Sequence, residues 1–208
     1  MTEISTILWD VGGVLLTNGW DHLERAAVLE QFGLDKPAFE QRHEVANDPW
    51  EKGLMTGEQY LQQTVFYEPR SFTPEAFLEQ MKRRSVLLPN TAMRILQDLA
   101  ASDEVSLVML NNEAKDLNDY RIDEFELDRY FDAFLSSCYV GLRKPDPKFF
   151  AMALDVLQRN PEEVAFIDDR QGNCDAAKAL GIHAIRYQNE AQCVQALEQL
   201  GLRTAVKI

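Results

Sequence analysis

The stretch Ile7-Leu8-Trp9-Asp10-Val11-Gly12-Gly13-Val14-Leu15 is an apolar run interrupted by one aspartate and, one residue later, by two glycines. The apolar part predicts a buried β-strand, and the aspartate falls where that strand reaches the rim of its sheet. Glycines just beyond it let backbone amides approach a bound anion with no side chain in the way, and they tolerate positive φ in the tight turn leaving the strand. Such a rim suits a carboxylate nucleophile beside a phosphate. It equally suits an ordinary strand-to-loop turn, and segments further along the chain decide between the two.

The chain has 208 residues, enough for one domain of ordinary size or for a core carrying a smaller inserted one. A chain of this length buries roughly 70% of its unfolded surface, so its core needs no disulfide or metal staple. With 34 acidic against 21 basic residues the net charge is −13, which argues against nucleic acid or an anionic membrane as partner and favours a cation. Cys138, Cys174 and Cys193 are odd in number, far apart and in no C-x-x-C pair, so neither a disulfide framework nor a zinc knuckle is indicated. A reducing cytoplasm is the expected compartment. Residues 1–6 include Glu3 and lead into no basic-then-apolar leader, and no run of about 18 apolar residues marks a membrane span.

From about Asp103 onward the pattern alternates strands and helices, as in a parallel sheet covered on both faces. Strands are predicted at Ile4–Trp9, Val105–Leu110, Phe131–Ser136, Val164–Ile167 and Ala184–Tyr187. Asp146-Pro147 opens a helix, with Asp as cap and Pro in the first turn, and Asn160-Pro161-Glu162-Glu163 opens a short turn in the same way. Right-handed crossovers then wind the sheet in both directions, giving an α/β doubly wound, Rossmann-like core. Residues 17–89 differ, with helical periodicity and no convincing strand. Thr56-Gly57-Glu58-Gln59 is a capping-box pattern, and Thr73-Pro74 starts a helix that Phe72 and Phe77 can staple. The expected organisation is a core of residues 1–16 and 90–208 with a helical cap inserted at 17–89, hinged near Leu16–Gly19 and Leu88–Asn90.

Three later segments carry chemistry. Leu107-Val108-Met109-Leu110-Asn111-Asn112 is again an apolar strand ending in compact polar residues, whose amides can hold a phosphate oxygen. In Gly141-Leu142-Arg143-Lys144-Pro145-Asp146-Pro147 a lysine lies in a proline-stiffened loop before a capped helix, placed to neutralise a carboxylate and a phosphate together. Val164-Ala165-Phe166-Ile167-Asp168-Asp169 ends in adjacent aspartates, costly together unless a cation compensates them. Oxygen ligands at a strand tip are what Mg2+ accepts. Arg143 and Arg170 flank this region. Asn173, near the start of the following helix, is in reach of Lys144 or the acidic pair, or serves the helix start alone. His22 and His43 fall in the helical insertion and His183 at a strand start, and none is assigned a catalytic part.

These segments, in this order, resemble the haloacid dehalogenase-like hydrolase superfamily, specifically phosphatase-like members with a helical cap inserted after the first motif. The diagnostic stretches are Gly141 to Pro147 and Phe166-Ile167-Asp168-Asp169, followed by Gly172-Asn173 and later by Ala177, Leu180 and Gly181. The resemblance implies that Asp10 is the nucleophile, forming an aspartyl-phosphate that water hydrolyses. It implies Mg2+ held by Asp10, by the Gly12 carbonyl and by the acidic pair, with Asp169 the direct ligand and Asp168 its support. Lys144 would orient Asp10, and Gly13, Asn111, Asn112 and Lys144 would bind phosphate. The implied substrate is a small phosphorylated metabolite, such as a sugar phosphate.

Two departures qualify that implication. The family's first motif is usually Asp-x-Asp, and Gly12 stands where the second Asp acts as general acid and base, a role worth roughly 10²- to 10⁴-fold in rate. Some branches carry Gly there. Asn111 replaces the usual Ser or Thr, a milder change because an amide can also donate to a phosphate oxygen. Reduced or specialised activity is expected, with a non-catalytic regulatory or binding protein, or a dehalogenase-like hydrolase, as the alternatives.

Overall fold

The computed structural model describes residues 2–89 and 92–206. Five parallel strands form one sheet in the order β3-β2-β1-β4-β5: β1 (Thr6–Trp9), β2 (Ser106–Asn111), β3 (Ala133–Ser136), β4 (Val164–Asp168) and β5 (His183–Arg186). The chain runs outward from β1 to β3, returns, and runs outward again through β4 and β5. The switch point therefore lies beside β1, where a doubly wound sheet opens a crevice at its carboxyl ends.

β1 is buried along its length and apolar from Ile7 to Trp9, because both of its faces are covered. Its alternation divides the core: Ile7 and Trp9 join a cluster with Ile95, Leu96 and Leu99 on one face, while Leu8 joins Phe149, Phe150 and Phe166 on the other. Between β1 and the core helix α5 (Ala92–Ser102) come α1 (His22–Gln31), α2 (Lys36–Glu51), α3 (Gly57–Thr64) and α4 (Pro74–Lys82). Their starts are written locally. Asp21, Asp35, Thr56 and Thr73 each accept a hydrogen bond from the first helical turn, and Thr56 and Gln59 form the reciprocal capping box. Phe72 and Phe77 stack with centroids 6.1 Å apart. These helices bury a separate cluster including Trp20, Phe39, Trp50, Tyr60 and Phe77, to which Ala114 and Leu117 also belong. Leu117 lies on α6 (Lys115–Glu124), which is followed by α7 (Ser137–Val140), α8 (Pro147–Leu157), α9 (Gln171–Ala179) and α10 (Glu190–Gln199).

The strand ends differ from the periodicity reading by one or two residues. His183 opens β5 and Tyr187 lies just past it, yet the Tyr187 N–H still donates to the Asp168 carbonyl at 2.8 Å. The two links expected as separate hinges are joined to each other. Leu16 bridges Leu87 in antiparallel fashion, Thr17 N–H donates to the Val86 carbonyl at 3.0 Å and Leu88 N–H to the Leu15 carbonyl at 3.0 Å. Asn90, expected in the second link, lies outside the described residues.

Candidate active site

Parallel pairing brings the polar ends of β1, β2 and β4 side by side, because Trp9 is in register with both Met109 and Ile167. Asp10, one residue beyond β1, is held by its N–H donating to the Ile167 carbonyl at 2.9 Å. Asp168 ends β4, and ligand atoms of Asp10, Asp168 and Asp169 all lie within 4.8 Å of one another.

Lys144 sits among them, buried. Its Nζ lies 2.8 Å from Asp10 Oδ1 and 2.8 Å from Asp168 Oδ2, and it donates to the Leu110 carbonyl at 2.7 Å. An ammonium has three protons, so all are committed within the protein and none is left to donate to a phosphate as the sequence reading expected. Burial works against the Lys144 charge, but Asp10 and Asp168 outweigh it and hold the ammonium above its ordinary range. The loop carrying Lys144 is fastened by Asn112, whose Oδ1 accepts from Lys144 N–H at 2.8 Å and whose Nδ2 donates to the Lys144 carbonyl at 2.8 Å. The Asn112 side chain thus positions Lys144 and is not free to donate to a phosphate. Asn111 Nδ2 makes one long contact, 3.4 Å, with Asn118 Oδ1.

Hydrogen bonds separate the two adjacent aspartates. Asp168 accepts from Arg170 N–H at 2.8 Å, from Asn173 Nδ2 at 3.0 and 2.9 Å on its two oxygens, and from Lys144. Of the uses open to Asn173, the structure has it holding Asp168. Asp169, in contrast, keeps a buried Oδ1 with no hydrogen-bond partner. Burial and the neighbouring Asp168 raise the Asp169 carboxyl, and burial pushes Asp10 up to about 7, with Asp168 and Asp169 adding to the rise and Lys144 opposing it. Three crowded carboxylates facing one ammonium leave an excess of negative charge.

The turn after Asp10 corrects one expectation. The Gly13 N–H donates to the Leu16 carbonyl at 2.7 Å, so it does not face an anion. Gly13 has φ +77°, and a Cβ there would lie 2.5 Å from Asp169 Oδ2. The Gly12 N–H carries no hydrogen bond to any described residue, and Gly12 lines the cavity.

That cavity, about 590 Å³, lies between the strand ends and the inserted helices. Asp10, Asn111, Lys144 and Asn173 line one side, and Trp20, Arg25, His43, Asn47, Trp50 and Glu51 the other. Sequence reasoning missed the buried pair Arg121–Glu113, 3.0 Å apart, at the edge of this space. Arg121 also donates to Ser85 Oγ and to the Thr17 carbonyl, each at 2.9 Å, so one guanidinium fastens the first link and the segment just before the second to α6. The available signal was a face of α6 on which Leu117, Asn118 and Arg121 are buried together, polar residues where a core-facing stripe would be apolar.

A doubly wound sheet with acidic strand ends and a buried lysine at its switch point defines an α/β enzyme. The chain belongs to the haloacid dehalogenase-like hydrolases, whose family model matches residues 4–181. Flavin mononucleotide hydrolase 1 of Arabidopsis thaliana is 30% identical over 190 residues, covering 86% of this chain and 75% of that protein. The Phosphorylated carbohydrates phosphatase of Thermotoga maritima is 26% identical over 185 residues, covering 88% and 84% respectively. Among solved structures, the magnesium complex of HAD family enzyme bt-2542 from Bacteroides thetaiotaomicron superposes with a TM-score of 0.78 at 21% identity, covering 90% of this chain and 94% of that one. At that identity the likeness is one of fold. No helix among the described residues is long and apolar enough to cross a membrane.

Proposed function

We propose that the protein is a Mg2+-dependent phosphatase acting on a small phosphorylated metabolite through a covalent phosphate on Asp10. The observation that carries this reading is the buried, unpartnered Oδ1 of Asp169 beside Asp10. A carboxylate oxygen sealed from water without a donor is costly unless a cation completes it. The donor set fits Mg2+, since Asp10, Asp169 and the Gly12 carbonyl are hard oxygens, with Asp168 and Asn173 as supports. Bound there, Mg2+ would neutralise excess carboxylate charge and the charge of a phosphoryl group. The flavin mononucleotide hydrolase of Arabidopsis thaliana and the Phosphorylated carbohydrates phosphatase of Thermotoga maritima support the same reaction class.

In this reading Lys144 and the Val11 N–H, both bonded to Asp10 Oδ1, fix the carboxyl so that its other oxygen attacks phosphorus. The bond from phosphorus to the leaving oxygen breaks as the Asp10–phosphorus bond forms. Water then attacks the aspartyl-phosphate, releasing inorganic phosphate and restoring Asp10. The Gly12 N–H, the Asn112 N–H and the Asn111 side chain are donors left for the phosphoryl oxygens. Residues 17–89 act as a lid over residues 1–16 and 90–208, excluding water and large substrates. A dehalogenase would give the Asp169 oxygen no work. The three free, buried cysteines favour a reducing cytoplasm.

The test is a panel of phosphorylated metabolites assayed with and without Mg2+, with acid quenching to trap phosphate on Asp10. Turnover requiring Mg2+ and a phosphoenzyme lost in Asp10→Asn are expected. A protein that binds the esters without ever becoming phosphorylated would instead be a regulatory or binding protein on this fold.

A further inference from the structure

The cavity is lined by several charged side chains, and most of them are paired within the protein. Arg25 makes a two-pronged bond to Glu40, at 3.0 and 2.9 Å, and donates a third time to the Trp20 carbonyl at 2.6 Å. Arg143 pairs with Glu51 at 2.8 Å and with Asp48 at 3.5 Å, and Arg121 is engaged by Glu113, Ser85 and Thr17. A second anionic group on the substrate would find Arg25, Arg121 and Arg143 already paired, while Arg170, also in the cavity lining, has no ion pair among the described residues.

Polar atoms do stay available: Trp50 Nε1 is buried there without a hydrogen-bond partner, and a second donor belongs to His43. Tyr60, fully buried, accepts a hydrogen bond from Trp20 Nε1 at 2.7 Å and lies 2.8 Å from His43 Nδ1. Burial raises the Tyr60 phenol far above its ordinary range, so it keeps its proton. Trp20 Nε1 can only donate, so the phenol proton has one acceptor among its hydrogen-bond partners, His43 Nδ1. Burial and the nearby Arg25 push His43 down to about 4, with Glu40 opposing, so the ring is neutral and carries a single proton. With Nδ1 accepting, that proton is on Nε2. Nε2 has no hydrogen bond to any described residue and is not among the buried unpartnered atoms. His43 lines both the cavity and the groove opening beside it, together with Arg25, Asn47 and Arg143.

We propose that the His43 Nε2–H, locked in place by the relay from Trp20 through Tyr60, is the donor by which the insertion reads an uncharged, oxygen-bearing leaving group, so that the preferred substrates are monophosphates of polyhydroxylated molecules. This rests on the phosphatase reading and narrows its substrate class. The relay matters because a free imidazole exchanges tautomers and offers an acceptor as readily as a donor, whereas this one always offers the donor. Trp50, stacked on Tyr60 with centroids 3.8 Å apart, holds the phenol in the plane the relay needs.

Two measurements test it. A long-range 1H–15N NMR spectrum of the protein at pH 7, with the His43 signal identified by its loss in His43→Gln, is expected to show Nδ1 bare and Nε2 protonated. The opposite tautomer, or an imidazolium, overturns the proposal. The second is steady-state kinetics on a hexose 6-phosphate and on phenyl phosphate, which has no hydroxyl on its leaving group. His43→Asn keeps an acceptor for Tyr60 where Nδ1 was but has no donor at the Nε2 position, whereas His43→Gln restores one. One neutral hydrogen bond predicts a rise in KM of roughly three- to tenfold in His43→Asn on the hexose phosphate, with kcat and phenyl phosphate unchanged. His43→Gln recovers part of the loss. If His43→Asn lowers both substrates equally, or neither, His43 is structural and the proposal is wrong while the phosphatase reading stands. A wild-type protein that hydrolyses neither ester with Mg2+ overturns both.

Discussion

Gly13 and Asp169 are packed so closely that a methyl group on Gly13 would stand 2.5 Å from Asp169 Oδ2. The turn after the nucleophile strand and the acidic end of β4 are therefore built as one unit. A side chain at Gly13 meets two obstacles, its φ of +77° and the carboxylate itself. Left-handed backbone alone costs about 1–2 kcal/mol for a non-glycine residue. Gly13→Ala is expected to lose at least that much in urea unfolding and, by displacing Asp169, to lose its response to Mg2+. Wild-type stability and metal response in the Gly13→Ala variant would refute this coupling.

Metal binding has its own thermodynamic signature. Mg2+ at about 100 times its Kd should stabilise the protein by about 2.7 kcal/mol, read as a rise in melting temperature. Asp169→Asn should fold at least as well as wild type without metal, since it removes a crowded charge, but show no Mg2+ response. Asp168→Asn should behave differently. Asp168 is fully buried and bonded to Lys144, and breaking a buried ion pair costs about 3–5 kcal/mol. Thermal melts of both variants with and without Mg2+ separate these outcomes.

Gly12 is an open position: its φ is not positive, and a Cβ would find its nearest neighbour at 3.6 Å, with Arg121 Nη1 at 3.7 Å. Gly12→Asp should therefore fold. Because the wild-type protein lacks an acid here, its rate should fall steeply as leaving-group pKa rises, and Gly12→Asp should flatten that slope by favouring the poor leaving groups. Asp10→Asn should abolish turnover on every ester. A wild-type rate independent of leaving-group pKa would count against the argument.

His43 also sets a pH dependence of stability. Its ordinary value is 6.5 and burial takes it to about 4 in the folded protein. Between those pH values the unfolded chain binds the extra proton and the folded one does not. Stability from this residue is therefore complete above pH 6.5 and is lost as the pH falls toward 4. The effect is on the order of 2–3 kcal/mol. His43→Gln has no such proton to bind, so its unfolding free energy should fall less than that of wild type between pH 7 and pH 4.5. Parallel curves for the two proteins would show that His43 is not the titrating group.

Much of the molecule was legible in local pattern. The apolar runs place the strands to within a residue or two because a strand covered on both faces must be apolar throughout. Aspartate, asparagine and the Asp168–Asp169 pair then fall at carboxyl ends by chain order alone. Thr56 with Gln59, and Asp146 with Pro147, mark helix starts because a cap contacts only its own first turn. Lys144 was legible as a constrained cation, and Asp10 as a carboxylate at a sheet rim.

What the chain alone determined, then, is which groups arrive at the switch point; how each spends its hydrogen bonds was decided only by the tertiary structure. Lys144 gives every proton to the protein, Asn112 serves a backbone 32 residues away, Gly13 turns its N–H to Leu16, and Glu113 with Arg121 ties down the insertion. A hydrogen bond is set by a few tenths of an ångström and by direction, and it leaves no period in the sequence. Apolar burial is additive and non-directional, so its pattern survives in one dimension, while the partnering of buried polar groups exists only where distant segments meet.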